Sequence, residues 1–224
     1  MLINSRETGK GININPIRNI EDTKRYYMEL DCKLDIRLED ERVTIERLTM
    51  KHFETLLPIA LAWPDLLRYS PSEFGTETAL RSYIENATHL QQQNEKYSFV
   101  IYDKNTKSYA GSTSYMNISN KDRRLEIGST WIGKSFQRTG LNRHCKYLLL
   151  DHAFEVLQFE RVAFRTDSRN VQSQTAIQAI GAKYEGTLRN HMLMPDGYRR
   201  NTVCYSILKN EWPGIKTGVF TGLK

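Results

Sequence analysis

Residues 125–142 read Leu125-Glu126-Ile127-Gly128-Ser129-Thr130-Trp131-Ile132, then Gly133-Lys134-Ser135-Phe136-Gln137-Arg138-Thr139-Gly140, then Leu141-Asn142, and their reading decides the fold. The first eight have the composition of a strand, and the next eight form a polar loop that ends in glycine. From Leu141 onward Cys145, Leu148, Leu149, Ala153, Val156 and Leu157 recur at helical spacing, with Asn142, Arg143, Lys146, Asp151 and Glu155 on the opposite face. The spacing predicts strand, short loop and helix, the helix spanning about Gly140–Leu157. A glycine-ended loop at a helix start presents unpaired N–H groups and the positive end of the dipole, and lets an anion approach where a Cβ would block it. Lys134, Arg138, Arg143 and Lys146 accompany that loop, a charge that suits a pyrophosphate better than a single carboxylate. The same residues also fit a plain helix start with a solvated charged face, and physics alone leaves both readings open.

Upstream of this segment, Tyr97–Tyr102 and Ala110–Ile118 read as strands separated by the turn formers Asp103-Lys104-Asn105, and Ser119-Asn120-Lys121-Asp122 leads into the strand at Leu125. Such short links favour antiparallel pairing. Lys51–Ala62 and Glu77–Gln93 carry helical signals, interrupted by Trp63-Pro64-Asp65 and Ser70-Pro71. Alternation of Cys32, Leu34, Ile36 and Leu38, followed by Val43 and Ile45, predicts a hairpin. Downstream, Arg161–Thr166 reads as a strand and Val171–Ile180 as a helix ended by Gly181. Lys183–Leu193 and Tyr198–Leu208 read as strands joined at Met194-Pro195-Asp196-Gly197. The first thirty residues are polar and broken by Gly9, Gly11 and Pro16 until Ile20–Leu30 offers a short helix.

The 224 residues fit one domain with an extension. No apolar run reaches the roughly 18 residues that span a bilayer. The first residues lack a signal-peptide pattern, and cysteines 32, 145 and 204 form neither a disulfide framework nor a zinc spacing, so a cytoplasmic, reduced protein is expected. The net charge is +6, and residues 121–200 alone hold fourteen Lys/Arg against eight Asp/Glu, an excess equal to that of the whole chain. Such a concentration attracts phosphates, whether of nucleic acid, a membrane surface or a phosphorylated cofactor.

Gln137-Arg138-Thr139-Gly140-Leu141-Asn142 resembles the Q/R-x-x-G-x-G/A pyrophosphate loop of the GNAT N-acetyltransferases, in a variant with Asn last. Glu126-Ile127-Gly128 before Thr130-Trp131-Ile132, Asn142-x3-Lys146, Arg161-Val162 and Asp167-x2-Asn170-x2-Ser173 extend the match. Gly181-Ala182, Glu185-Gly186-x-Leu188-Arg189 and Glu211-Trp212-Pro213 continue it, in the order found in the RimJ/RimL-like subgroup. The ordered set carries the specificity, over roughly residues 38–216.

The resemblance implies that acetyl-CoA lays its pyrophosphate on the amides of Gln137, Arg138, Thr139, Gly140, Leu141 and Asn142. Its pantetheine arm would pair with the strand at Trp131 and Ile132, which splays from the next strand, and Asn170 would hold the cofactor near its thioester. Asn170 equally suits the N-cap of the 171–180 helix, and the two roles are compatible. Many relatives use a tyrosine seven residues after this Asn as the proton donor, but Ile177 stands there. The resemblance therefore moves the donor to Ser173, on the same helix face as Asn170 by i,i+3 spacing. Ser173 also reads as an ordinary first-turn serine. Glu126 resembles the glutamate that deprotonates the amine through water, and also reads as an ion-paired strand carboxylate.

Other patterns fail. Thr8-Gly9-Lys10-Gly11 lacks the first glycine and the Ser/Thr of a phosphate loop, and the five histidines show no metal-ligand spacing. The expectation is thus an α/β GNAT fold, with a mixed, mostly antiparallel sheet of six to seven strands and about four helices. Residues 1–37 would be an N-terminal extension, 38–216 the acetyltransferase domain and 217–224 a C-terminal tail. The activity implied is acetyl transfer from acetyl-CoA, without a metal, to a primary amine: a peptide N-terminus, an aminoglycoside or a metabolite amine. The segment 51–95 and the 183–208 hairpin would border the acceptor. A homodimer stays open. The competing class is a basic nucleic-acid-binding module, or a GNAT-like domain that has lost catalysis.

Overall fold

The computed structural model describes residues 14–15 and 27–223. Ile14–Asn15 (β1) and Tyr27–Met28 (β2) pair as a short antiparallel ribbon. Eight further strands form one sheet: Arg37–Glu39 (β3), Val43–Arg47 (β4), Lys96–Asp103 (β5), Ser108–Ser119 (β6), Arg124–Ile132 (β7), Arg161–Asp167 (β8), Lys183–Leu193 (β9) and Arg199–Leu208 (β10). Their spatial order is β3-β4-β5-β6-β7-β8-β10-β9. Every neighbouring pair is antiparallel except β7 and β8, which run parallel because a helical crossover joins them. Among the described residues the sheet therefore has eight strands, close to the six to seven expected.

Among the described residues, five helices cover its faces: Phe53–Ala62 (α1), Glu77–Gln92 (α2), Leu141–Asp151 (α3), Val171–Ala179 (α4) and Trp212–Gly218 (α5). Alternation along β5 splits the core in two. Tyr97, Phe99 and Ile101 join Leu141, Cys145, Leu149 and Trp212 on the α3 and α5 side. Val100, from the opposite face, joins Leu56, Leu80, Ile84 and Trp131 under α1 and α2. The 140–157 helix ends early as a regular α-helix: from His152 to Val156 it widens into a π-helical turn that buries Ala153 and Phe154.

Two expectations about the ends of the domain change. The alternation from Cys32 to Leu38 yields a strand only at Arg37–Glu39, because Asp31 turns the chain, its side chain accepting the Lys33 N–H at 2.9 Å. Leu30 and Cys32, placed by sequence in the extension, are buried in the main core. Leu30 exchanges backbone hydrogen bonds with the Asn120 amide, and Gln91 Nε2 donates to the Cys32 carbonyl at 2.8 Å. Most of the expected Ile20–Leu30 helix, and Thr8–Gly11, lie outside the described residues; at Tyr27–Met28 the chain is a strand. At the other end, residues 217–223 are not a tail. Phe220 is 1% exposed, its ring 5.7 Å from Trp212 and 5.6 Å from Tyr147, because α5 folds the chain end back against α3.

One core-facing residue of α3 is a cation. Lys146 is buried, its Nζ donating to Thr130 Oγ1 at 2.9 Å and Thr113 Oγ1 at 3.3 Å, and burial pushes its ammonium down to about 8. The two hydroxyls also bond each other at 2.8 Å, so the ammonium rests on neutral oxygens with no carboxylate among its described partners.

Truncating Phe220 to Ala should destabilise the fold by about 3 kcal/mol, as for a buried aromatic, where loss of a true tail residue would cost nothing; denaturant midpoints of the two proteins measure it. For Lys146 the expected signature is in pH. Above about pH 8 the folded ammonium loses its proton while the unfolded one keeps it toward 10.5, so unfolding takes up a proton and stability rises with pH. Urea midpoints between pH 8 and 10 should climb more shallowly in Lys146→Met than in the parent, since the variant lacks this contribution.

Candidate active site

The site grows from the one parallel pair. β7 and β8 are in register at Arg124–Arg161, Leu125–Val162 and Glu126–Ala163, and there the ladder stops although both strands continue. One cause is visible on β7. Between Ser112–Trp131 and Ser114–Gly128, Thr113 of β6 faces two residues, Ser129 and Thr130, and Ser129 takes a positive φ of 46°. Such a bulge bends and twists its strand, and from it onward β7 has no ladder to β8. A wedge-shaped cleft opens between the C-terminal halves of the two strands.

Two helix starts flank the cleft. The loop after β7 leads through Gly140, with φ +90°, into α3, and a Cβ built on Gly140 would meet nothing within 4 Å. Among the described residues, the amides of Arg138, Thr139, Gly140, Leu141 and Asn142 find no backbone or side-chain acceptor. The loop is braced from within: Gln137 Nε2 donates to the Ile132 carbonyl at 2.9 Å, and Thr139 Oγ1 to the Phe136 carbonyl at 2.7 Å. After β8, Asn170 caps α4, its Oδ1 accepting the Ser173 N–H at 3.0 Å. Gln172 Nε2 reaches across to Gln137 Oε1 at 3.3 Å, tying α4 to the loop.

The cations expected around the loop are mostly engaged elsewhere. Lys134 lies over the Trp63 ring at 4.3 Å, Arg143 donates to the Val219 carbonyl, and Lys146 points inward to the bulge. Asn142 is half-buried with Oδ1 unpartnered among the described residues. The site is therefore an array of backbone amides more than a patch of charged side chains. Trp131 and Ile132 are both buried; along these residues β7 has a ladder partner only on the β6 side, leaving the cleft edge open. The Trp131 indole packs against Phe74, 4.9 Å between ring centres, in the α1–α2 core.

Glu126 stands at the apex of the wedge, buried at 6% exposure. Oε2 accepts from Asn117 Nδ2 at 2.9 Å and lies 3.5 Å from Arg165 Nε, whereas Oε1 has no partner among the described residues. Ser173 lies in the first turn of α4, half-buried, its hydroxyl likewise without a described partner. Ile177, at the usual tyrosine position, is buried in the core. Among the described residues, the tyrosine hydroxyl bonded to α4 is that of Tyr205, which donates to Gln174 Oε1 at 3.3 Å.

Sequence reasoning expected the 51–95 segment and the 183–208 hairpin to border the acceptor but missed the residue that joins them. Arg200 of β10 is buried and donates through Nη1 to the Tyr69 carbonyl at 3.2 Å, joining the α1–α2 connection to the β9–β10 hairpin. Burial lowers its guanidinium against the opposing pull of Asp167 and Glu126. Arg169 stacks on Tyr198 at 3.6 Å. Burial would raise the Asp167 carboxyl, but hydrogen bonds from Arg169 outweigh it and hold it below its usual value. The polar face of β10, with Arg200, Thr202, Cys204 and Ser206 against Val203, Tyr205 and Ile207, was legible as alternation; that its first member closes a wall was not.

Residues 42–183 match the acetyltransferase (GNAT) domain. YdaF of Bacillus subtilis (strain 168), which its name proposes to be a ribosomal N-acetyltransferase, is 35% identical over 117 residues, 52% of this chain and 61% of that protein. A crystal structure of an acetyltransferase candidate from T. thermophilus shares 38% identity with a TM-score of 0.74, over 82% of this chain and 95% of that one. Mycobacterium smegmatis RimJ, solved in complex with CoA-disulfide, is 20% identical and shares the fold at a TM-score of 0.68, over 80% of this chain and 88% of its own. With the splayed parallel pair, the glycine-ended loop and this domain match over most of the sheet, the chain belongs to the GNAT acetyltransferase family.

Proposed function

We propose that the protein transfers an acetyl group from acetyl-CoA to a primary amine by direct attack, without a covalent enzyme intermediate. The observation that carries this is the loop: five consecutive amides without acceptors among the described residues, at a helix start, beneath space that only a glycine leaves open. That array fits a pyrophosphate, which offers several oxygens to parallel N–H donors and gains from the helix dipole. The family membership and the CoA-disulfide held by the RimJ relative point the same way.

In this reading Arg138, Thr139, Gly140, Leu141 and Asn142 hold the diphosphate, and the open edge at Trp131 and Ile132 pairs with the pantetheine arm. Gln137, whose backbone and side-chain N–H groups are already taken by the Lys134 and Ile132 carbonyls, braces the loop rather than binding as expected. Asn170 contributes its free amide nitrogen, since its oxygen already caps α4. When bound, acetyl-CoA supplies an activated thioester. Glu126, with Oε1 available, accepts the proton of the attacking amine directly or through one water, while Asn117 and Arg165 keep the carboxylate oriented. The C–N bond would form as the C–S bond breaks; the Ser173 hydroxyl would pass a proton to the departing sulfur and regain one from solvent, while Glu126 releases the amine's proton to solvent. The acceptor enters from the face bordered by the α1–α2 connection and the β9–β10 hairpin. A peptide N-terminus, an aminoglycoside and a metabolite amine all satisfy this chemistry, and the name of the YdaF relative favours the first.

An acetyl-CoA consumption screen over amine classes tests activity and acceptor together. Gly140→Val should weaken CoA at least tenfold, about 1.4 kcal/mol, because the new side chain fills the approach to the amides. Its positive φ adds about 1–2 kcal/mol of strain, so calorimetry is read on protein shown by circular dichroism to be folded. Unchanged affinity would remove the loop from the mechanism. Ser173→Ala should lower kcat on the order of 10²-fold with KM for acetyl-CoA nearly unchanged, as for a donor needed only when the thiolate leaves. If kcat stays within about threefold while Tyr205→Phe collapses it, the donor is the hydroxyl on β10 instead.

A further inference from the structure

Lys96 opens β5 as a charged residue in a place built for an uncharged one. It is 8% exposed, and its described contacts are the Ser129 hydroxyl, at 3.2 Å from Nζ, and the Tyr83 ring, at 5.4 Å. Neither carries negative charge, and none of the described ion pairs includes Lys96. An ammonium has three N–H donors, so one hydroxyl leaves it short of acceptors. Burial without a counter-ion pushes it down to about 8, which still leaves it protonated at neutral pH. Retaining a buried, unpaired cation costs stability, and a leucine or methionine would pack there without that cost.

Its position gives the charge a use. Lys96 pairs with Met116 and Met116 with Glu126, so the three side chains stand in one cross-strand row on one face of the sheet. With strands about 4.8 Å apart, the Lys96 and Glu126 backbones are separated by about 10 Å. Lys96, Met116 and Asn117 also line a solvent-open cavity of about 330 Å³, with Leu90 of α2 among its lining residues. Asn117 is the residue that donates to Glu126, so cavity and cleft share a wall. Glu95, the one carboxylate lining the cavity, is exposed and forms no ion pair with Lys96 among the described residues.

We infer that the acceptor is a primary amine that also carries a carboxylate, the amine presented to Glu126 and the carboxylate seated on Lys96 in this cavity. The inference rests on the acetyl-transfer reading and names its substrate class. A carboxylate supplies the missing acceptors in a charge-assisted hydrogen bond, while a neutral amine of equal shape leaves the ammonium unpaired. The volume suits a small amino acid or the first residues of a peptide whose second side chain is acidic.

Two matched pairs test it: β-alanine against β-alaninamide, and alanyl-aspartyl-glycinamide against alanyl-asparaginyl-glycinamide. With acetyl-CoA saturating, kcat/KM should be at least tenfold higher for the charged member of at least one pair. In Lys96→Met the ratio should fall to within about threefold of unity. The same variant, without acceptor, should melt at or above the parent's temperature, whereas a lysine with a purely structural role would lower it. Equal use of both members by the parent, survival of the preference in Lys96→Met, or no binding of either charged amine at millimolar concentration in calorimetry overturns the inference. Acetylation of neutral amines without preference leaves the acetyl-transfer reading standing, whereas failure to bind acetyl-CoA removes that reading.

Discussion

The parallel ladder between β7 and β8 ends after three residue pairs, and the site depends on that interruption. A parallel pair needs a helical crossover, so each strand hands the chain to a helix at its C-terminal end. Because β7 and β8 run the same way, the starts of α3 and α4 arrive at the same end of the sheet. Had the strands stayed zipped, both helix starts would crown a closed sheet edge. With the strands parted, the two helix starts and the open edge of β7 face one space.

An opened ladder leaves polar backbone without partners, and side chains from both layers take up the deficit. Gln137 covers the Ile132 carbonyl, Tyr83 reaches the Ser129 carbonyl at 3.4 Å, and Lys96 holds the Ser129 hydroxyl. From the other face Lys146 clamps Thr113 and Thr130, the residues on either side of the bulge. Two lysines on opposite faces thus converge on one irregular turn of β7. Among the described residues no carboxylate pairs with either, so the bulge sits in a positive field within a low-dielectric interior. In the proposed reaction that field would favour a developing oxyanion at the apex and work against protonation of the attacking amine, with Glu126 beside it as the proposed proton acceptor.

Most of the element order was legible because each signal is local. Strand-forming composition bounded by turn formers located β5 to β10 within a residue or two, and the positive φ of Gly140 and Gly181 follows from glycine at a helix start and a helix end. What escaped depends on distant partners. Pro213, Gly214 and Gly218 read as breakers, yet Trp212 and Phe220 bury enough aromatic surface against Tyr147 and Phe154 to impose α5. Cys32 alternates like a strand, but Asn94 and Gln91 capture its backbone first. For the candidate site, the turn at Gly140 and the cap at Asn170 were legible because each constrains residue type, whereas Glu126 was singled out by the family resemblance alone. Lys96, Lys146 and Arg200 could not, since a pattern shows which face a residue shares and not whether that face is covered.

The basic excess of residues 121–200 illustrates the same gap between sequence and chemistry. Spread on a surface it would form an electrostatic footprint for a polyanion. In the fold several of the cations are engaged one at a time: Arg161 on Glu185, Arg165 on Glu126, Arg169 on Asp167, Lys134 on the Trp63 ring, and Lys146 in the interior. What remains toward the loop is Arg138 and a row of amides. Fixed dipoles of this kind bind a short, well-placed anion and gain little from a long one, because each amide serves one oxygen and the array ends with the first turn of α3. The chain's positive charge therefore speaks less for nucleic acid than its total suggests, and more for a single diphosphate held at a helix start.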